Sequence, residues 1–340
     1  MKSRLLFPGK RQDAVKLSRA EAAGAACVCL LPGALAVLGF AHLCSLVAKA
    51  QIVDTSGQSY YANAKPLLDY PLPDILKAAP ELQGLEPAAN QDELASILDK
   101  TGEVTEDLLG SMPNLISRED IIQAKLGDPA NANDQRRLVY DYLILVHRQG
   151  TNITLEEYRS GPGGTGTEAQ SLDEGYMITR GFASFWLHFH PSNRLAARFH
   201  YLGQQTDSGL KCYVVAFAQK PGWATVTGTV VYKGVSLRIL YQGIAWIDEA
   251  SFRIVRLRTD LLAPRPAIGL ERMTTELHFG ETRLPQTAAP LWLPQEVVVT
   301  TERDKHSYQN VHRYSDYRLF KVETKILPTP PDSPLPTKPN

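Results

Sequence analysis

Thr225-Val-Thr-Gly-Thr-Val-Val-Tyr232, a Lys233-Gly234 turn and Val235-Ser-Leu-Arg-Ile-Leu-Tyr-Gln242 run into Ile244-Ala-Trp-Ile-Asp248, a second turn, and Phe252-Arg-Ile-Val-Arg-Leu-Arg-Thr259. Successive side chains of an extended chain point to opposite faces. Val226, Gly228, Val230 and Tyr232 therefore share one side, and Thr225, Thr227, Thr229 and Val231 the other. Val235, Leu237, Ile239 and Tyr241 continue an apolar face. Turns this short join antiparallel neighbours, and one packed face opposite a more solvated one is the mark of an antiparallel sheet.

The same signature extends in both directions. Leu138–Val146 is rich in β-branched and aromatic residues, and residues 152–158, 198–202 and 212–218 follow. Beyond the opening stretch come 274–279, 296–303, 308–314 and 317–325, with turn signals at Asp207-Ser-Gly209 and Arg303-Asp-Lys305. These predict a meander of about ten strands over residues 137–327. Upstream, residues 67–126 read as a helical region punctuated by Pro71, Pro73, Pro80, Pro87 and Pro113. Asn90 can cap a helix carrying Leu94, Ile97, Leu98, Val104, Leu108 and Leu109, and Ser117-Arg-Glu-Asp120 resembles a capping box before Ile121. The expected class is α+β.

Residues 1–50 have the order of an export signal. Lys2, Arg4, Lys10, Arg11, Lys16 and Arg19 precede an uncharged run from Ala22 to Val47, and Ala48-Lys-Ala50 offers small residues at a cleavage site. Two fates fit: cleavage after Ala50, or retention of residues 22–47 as a membrane anchor. Either places the rest in the periplasm or outside the cell. Residues 51–66 read as a linker, and residues 328–340, with six prolines, as a disordered tail.

Three of the four cysteines (Cys27, Cys29 and Cys44) lie in the export segment, which leaves Cys212 without an internal disulfide partner. A core rather than crosslinks must hold the fold. Of 36 basic and 36 acidic residues, the first fifty positions hold seven and two, so 29 and 34 remain, a net charge of −5. No nucleic-acid partner is indicated by that balance.

Chemistry-bearing patterns are sparse. His188 and His190 in Phe185-Trp-Leu-His-Phe-His190 would share a face on a strand, as two metal ligands should, but a third ligand at a recognised spacing is missing, and no metal or cofactor is expected. Gly161-Pro-Gly-Gly-Thr-Gly166 lacks the Lys and hydroxyl residue of a phosphate loop, and Gly181-Phe-Ala-Ser184-Phe185 lacks the second glycine of a nucleophile elbow. Arg253, Arg256 and Arg258 crowd one strand, either as a salt-bridged face or as a cationic rim.

Gly243-Ile-Ala-Trp-Ile-Asp248, Glu249-Ala-Ser251 and Phe252-Arg-Ile-Val-Arg-Leu257 form a strand ending in aromatic-Ile-Asp, a tight turn and an arginine-bearing strand. With the export segment and the meander, this resembles the outer-membrane lipoprotein carrier and receptor (LolA/LolB-like) superfamily and exported bacterial proteins of uncharacterised activity. The resemblance covers residues 137–327. It implies a curved, unclosed antiparallel half-barrel wrapped over helices, with a cavity for acyl chains. None of that superfamily's functional residues maps onto a position here.

The expected function is therefore that of a non-enzymatic exported protein that binds or carries a lipid or a lipoprotein acyl chain. The alternative is a structural or protein-interaction module of the cell envelope. Val230, Tyr232, Leu237, Ile239, Tyr241, Trp246 and Phe252 are the residues expected to line the ligand site.

Overall fold

A computed structural model describes residues 60–127, 135–149, 152–161, 182–183, 185–232, 235–287 and 289–320. The export segment, most of the 51–66 linker, nearly all of the glycine-rich loop and the proline-rich tail lie outside the described residues.

The chain opens with short elements: a 3-10 turn at Leu67–Asp69, helix α1 (Leu72–Ala78), a second 3-10 turn at Pro80–Leu82 and a two-residue strand β1 (Glu86–Pro87). Helix α2 (Leu94–Ser111) follows, preceded by Asn90, whose Oδ1 accepts from the Asp92 amide at 3.0 Å. Strands β2 (Leu115–Leu126), β3 (Gln135–Gln149) and β4 (Asn152–Ser160) come next. After 3-10 turns at Phe185–His188 and Pro191–Ala196 come β5 (Ala197–Asp207), β6 (Leu210–Gln219), β7 (Gly228–Tyr232), β8 (Val235–Ile239) and β9 (Tyr241–Asp248). The chain continues through β10 (Ile254–Leu261), β11 (Leu270–Thr282), β12 (Leu291–Arg303) and β13 (His306–Leu319).

Eleven strands form one antiparallel sheet in the order β1-β5-β6-β9-β10-β11-β12-β13-β2-β3-β4. β1 and β4 are its two ends and do not pair with each other, so the sheet is an open half-barrel rather than a closed one. The fold is α+β, as expected. Among the described residues no helix is long and apolar enough to cross a membrane.

Two details differ from the sequence reading. The helical region stops at Ser111, and residues 115–126 are strand β2. Its inward positions Leu115, Ser117, Glu119, Ile121 and Gln123 are all buried, yet three of the five are polar. An alternation of burial that is not an alternation of hydropathy is invisible to a period-2 search. The second difference is that β7 and β8 leave the main sheet and pair only with each other. The run expected as one strand over 235–242 breaks at Leu240, whose amide donates to the Tyr61 hydroxyl at 3.1 Å, before β9 begins. The hairpin packs so close to β9 that a Cβ at Gly228 would collide with the Tyr241 hydroxyl and Ile239.

Both faces of the sheet are covered where β5, β6, β9 and β10 meet. On the outer face Ile75, Ala79 and Leu82 of the N-terminal elements pack onto Leu202, Val214, Ala216, Ile244, Trp246 and Val255. Cys212 is buried in this layer as a free thiol, and burial pushes its pKa up to about 11. An inert packed thiol follows. The inner face carries the main core: Val215, Phe217, Ala245, Ile247, Leu257 and Leu277 of the sheet against Ile97, Leu98 and Leu109 of α2 and the segment 182–189.

The candidate ligand cleft

The seven residues expected to line the site do not come together as one wall. Val230 and Ile239 are buried members of the main core, and Tyr232, Leu237, Tyr241 and Phe252 pack against it. Trp246 lies in the outer layer, where its Nε1 donates to the Gln205 side-chain oxygen at 2.8 Å. Tyr241 and Trp246 have opposite parity on β9, so one strand shows them to opposite faces.

The trough above β6 and β9 is filled by the chain itself. Phe185, Trp186, Leu187, His188 and Phe189 are all buried there. The His188 ring sits 5.1 Å from the Phe217 ring and 5.9 Å from that of Tyr241. With no compensating charge, burial pulls the His188 pKa down to about 4, so the ring is neutral at pH 7. His190 instead turns to the next 3-10 turn, where its Nδ1 accepts from the Ser192 amide at 3.2 Å. The two histidines are on turns rather than a strand, and they diverge. Among the described residues no group of three His, Cys, Asp or Glu side chains converges as a metal site would require.

The arginines of β10 separate in a similar way. Arg256 stacks on Trp246 with its guanidinium 4.6 Å from the ring centroid, and it pairs with Glu276 at 2.8 Å and Asp207 at 3.3 Å. Arg258 pairs with Asp260 at 2.8 Å and with Glu81. These two form a salt-bridged outer face. Arg253, before the strand begins, has its guanidinium 5.5 Å above the Trp292 ring.

Arg253 and Trp292 belong to a different place, an open cleft of about 650 Å³ at one end of the half-barrel. One wall is the C-terminal half of α2, with Val104, Thr105, Leu108 and Ser111. Opposite it stand Arg253 and Ile254, the β11–β12 connection and the start of β12 with Pro290, Leu291 and Trp292. Trp186 closes the inner end, and Leu319 of β13 completes the wall. The surfaces facing the cleft are mainly apolar.

Local chemistry holds these walls in place. Ile97, Leu98 and Leu109 bury one stripe of α2, and Gly102 lets the helix approach Pro191 so closely that a Cβ there would lie 3.2 Å from its Cγ. Thr105 bonds back to the Thr101 carbonyl at 2.8 Å, which satisfies its hydroxyl inside the helix. At the C-terminal end the Arg148 side chain donates to the free carbonyls of Gly110 at 3.1 Å and Leu109 at 3.4 Å. A cation there also complements the helix dipole. Trp292 is fixed by its Nε1, which donates to the Ile254 carbonyl at 2.8 Å. Phe252 adopts a left-handed backbone at φ 55° and turns the chain into Arg253, while Asp248 accepts from the Ser251 amide at 2.9 Å.

Behind the cleft the inner face turns polar. Glu119 of β2 is fully buried, and its carboxylate accepts from Arg159 Nη2 at 2.7 Å, from the Tyr314 hydroxyl at 2.8 Å and, with His312 Nδ1 as the donor, at 2.9 Å. The Arg159 guanidinium makes a second bond to the other oxygen. Despite desolvation, the charge of Arg159 and these hydrogen bonds hold the Glu119 carboxyl well below the usual carboxylate range. The pair is charge-neutral and ties β2, β4 and β13 together.

Of the cleft residues the sequence pointed only to Arg253, through the cationic-rim reading of the three arginines. Leu108, Trp186, Ile254, Trp292 and Leu319 come from five separate segments, so no local pattern joins them.

No family model matches the chain, and no curated protein matches it. Several solved structures are similar to it at low TM-scores. A DUF1329 family protein from Desulfovibrio piger is 12% identical, over 67% of this chain and 93% of that one, with a TM-score of 0.39. A LolA superfamily protein from Nitrosomonas europaea is 12% identical over 67% and 94%, at a TM-score of 0.33. Lipoprotein LppX from Mycobacterium tuberculosis is 8% identical over 68% and 99%, at 0.23.

Proposed function

We propose that the protein binds an amphiphile whose apolar chain lies in the cleft between α2 and the start of β10 and β12, and that it acts as an exported binding or carrier protein for a lipid or a lipoprotein acyl chain. The supporting observation is the cleft itself. At about 650 Å³ it falls within the roughly 300–1,000 Å³ of small-molecule sites, with apolar walls and a few polar groups at its edges. Burying acyl chain there draws on about 0.8 kcal/mol per methylene, so eight enclosed methylenes supply about 6 kcal/mol before the costs of ordering the chain. Export would follow from residues 1–50, with cleavage after Ala50 giving a diffusing carrier and retention a tethered one.

The seven residues expected from sequence form no part of this proposed wall. The packed trough above β6 and β9 favours the second reading, an envelope interaction module, for that part of the face. The two readings separate in native mass spectrometry of the purified protein. Co-purifying lipid, with a lipid-dependent rise in melting temperature, supports the ligand-binding reading. A bare mass and an unmoved melting temperature reject it.

A further inference from the structure

Buried polar side chains in this molecule mostly have partners. Asn193 donates to the Leu187 carbonyl at 2.8 Å, and the Gln219 side-chain oxygen accepts from the Tyr241 amide at 2.7 Å. Three groups, one of them in the cleft wall, do not. The Ser117 hydroxyl, the Tyr142 hydroxyl and the Trp186 Nε1 are buried without a hydrogen-bond partner among the described residues, and their side chains are only 1–2% exposed.

Their placement is not scattered. Ser117 of β2 and Tyr142 of β3 face each other directly across the ladder. The neighbouring rung on the same face is Leu115, paired with Leu319 of the cleft wall, and one such step along a strand is about 7 Å. Trp186 itself closes the inner end of the cleft. The Phe182 ring packs against both Tyr142 and Trp186, with its centroid 5.1 Å and 5.8 Å from theirs. Thr101, Gln123, Arg256, Thr259 and His312 also carry unpartnered atoms; Gln123 lies six residues beyond Ser117, about 20 Å along β2.

Each such donor costs stability as long as it stays unpaired. Indole N–H can only donate. Burial pushes the Tyr142 phenol well above its ordinary range, so it too keeps its proton. Of the charges nearby, Glu119 and Arg159 pair with each other, and the third, Glu157, is negative. Three donors with no excess positive charge around them call for an uncharged oxygen acceptor.

From this we infer that the inner end of the cleft is an ester-recognition site, in which Trp186, Tyr142 and Ser117 donate to the carbonyl oxygen of an acyl ester whose chain occupies the cleft. This rests on the ligand-binding reading above and adds that the protein distinguishes an acyl ester from an ether of the same shape. An ether oxygen is a weaker acceptor and lacks the carbonyl, so the donors would remain unpaired against it.

The test compares 1-monolauroylglycerol with 1-O-dodecylglycerol, which share head group and chain length and differ in the carbonyl, by isothermal titration on the purified protein. The ester is expected to bind about tenfold more tightly. In Tyr142→Phe and Ser117→Ala that ratio is expected to fall towards one, with a melting temperature equal to or above that of the parent, because an unpaired buried donor has been removed. A merely structural role would leave the ratio alone. Equal binding of the two lipids by the parent protein overturns the inference and leaves the cleft reading standing, as does a ratio that survives both substitutions. If neither lipid binds, the cleft reading falls and the inference with it.

Discussion

One inner sheet face has two ends, and they are treated differently. Above β6 and β9 the chain packs Phe185–Phe189 into the trough, against Phe217 and Tyr241. Beyond Trp186, between α2 and the starts of β10 and β12, about 650 Å³ stays open. Strands of the same kind line both ends. What differs is the aromatic segment Phe185–Phe189, which covers one end, with Trp186 at the border of the other. A curved sheet thus supplies a concave surface, while a separate segment decides how much of it remains for a ligand.

That contrast breaks first if the filled end tolerates truncation. Phe217 is 1% exposed, with the rings of His188, Phe189 and Phe199 around it. Phe217→Ala should cost about 3–5 kcal/mol in urea unfolding, because no partner can move into the space. A loss below about 1 kcal/mol would show that the trough is loosely packed.

A pH titration sharpens the same point. His188 is held neutral in the folded protein with a pKa of about 4, against about 6.5 when unfolded. Below pH 6.5 the unfolded chain takes up a proton that the folded one refuses. Stability therefore falls from pH 6.5 to 4, by up to about 3 kcal/mol from this group, and is fully present above pH 6.5. His188→Phe should flatten that part of the curve. An unchanged slope would mean that the ring is not enclosed.

The open end should respond less. Leu108 is only partly buried and borders the cleft, so Leu108→Ala is expected to cost about 1 kcal/mol, well under the Phe217 value. Arg253 is exposed above Trp292, and Arg253→Gln should stay within about 0.5 kcal/mol of the parent. Equal losses at Leu108 and Phe217 would erase the distinction between the two ends.

Much of the half-barrel was legible because turns such as Lys233-Gly234 and Asp248-Glu-Ala250 separate β-branched and aromatic runs. Strand β2 was not, since Ser117, Glu119 and Gln123 occupy buried positions with polar side chains. The burial of Glu119 answers to Arg159, His312 and Tyr314, which are distant in sequence. The departure of the β7–β8 hairpin from the main sheet was hidden for a related reason: Leu240 is apolar like its neighbours, and its break depends on Tyr61. Strand parity alone would have separated Tyr241 from Trp246. The cleft was illegible altogether, because Leu108, Trp186, Trp292 and Leu319 meet only after the sheet has curved and α2 has docked.

The most direct measurement is the affinity of 1-O-dodecylglycerol for two folded variants, one at each end. Leu108→Trp places a large ring in the open cleft, and Leu237→Ala trims the hairpin that packs against the main core. The account predicts at least a tenfold weaker dissociation constant for Leu108→Trp and no change for Leu237→Ala. Weakened binding in Leu237→Ala with Leu108→Trp unaffected would place the ligand at the other end and contradict it.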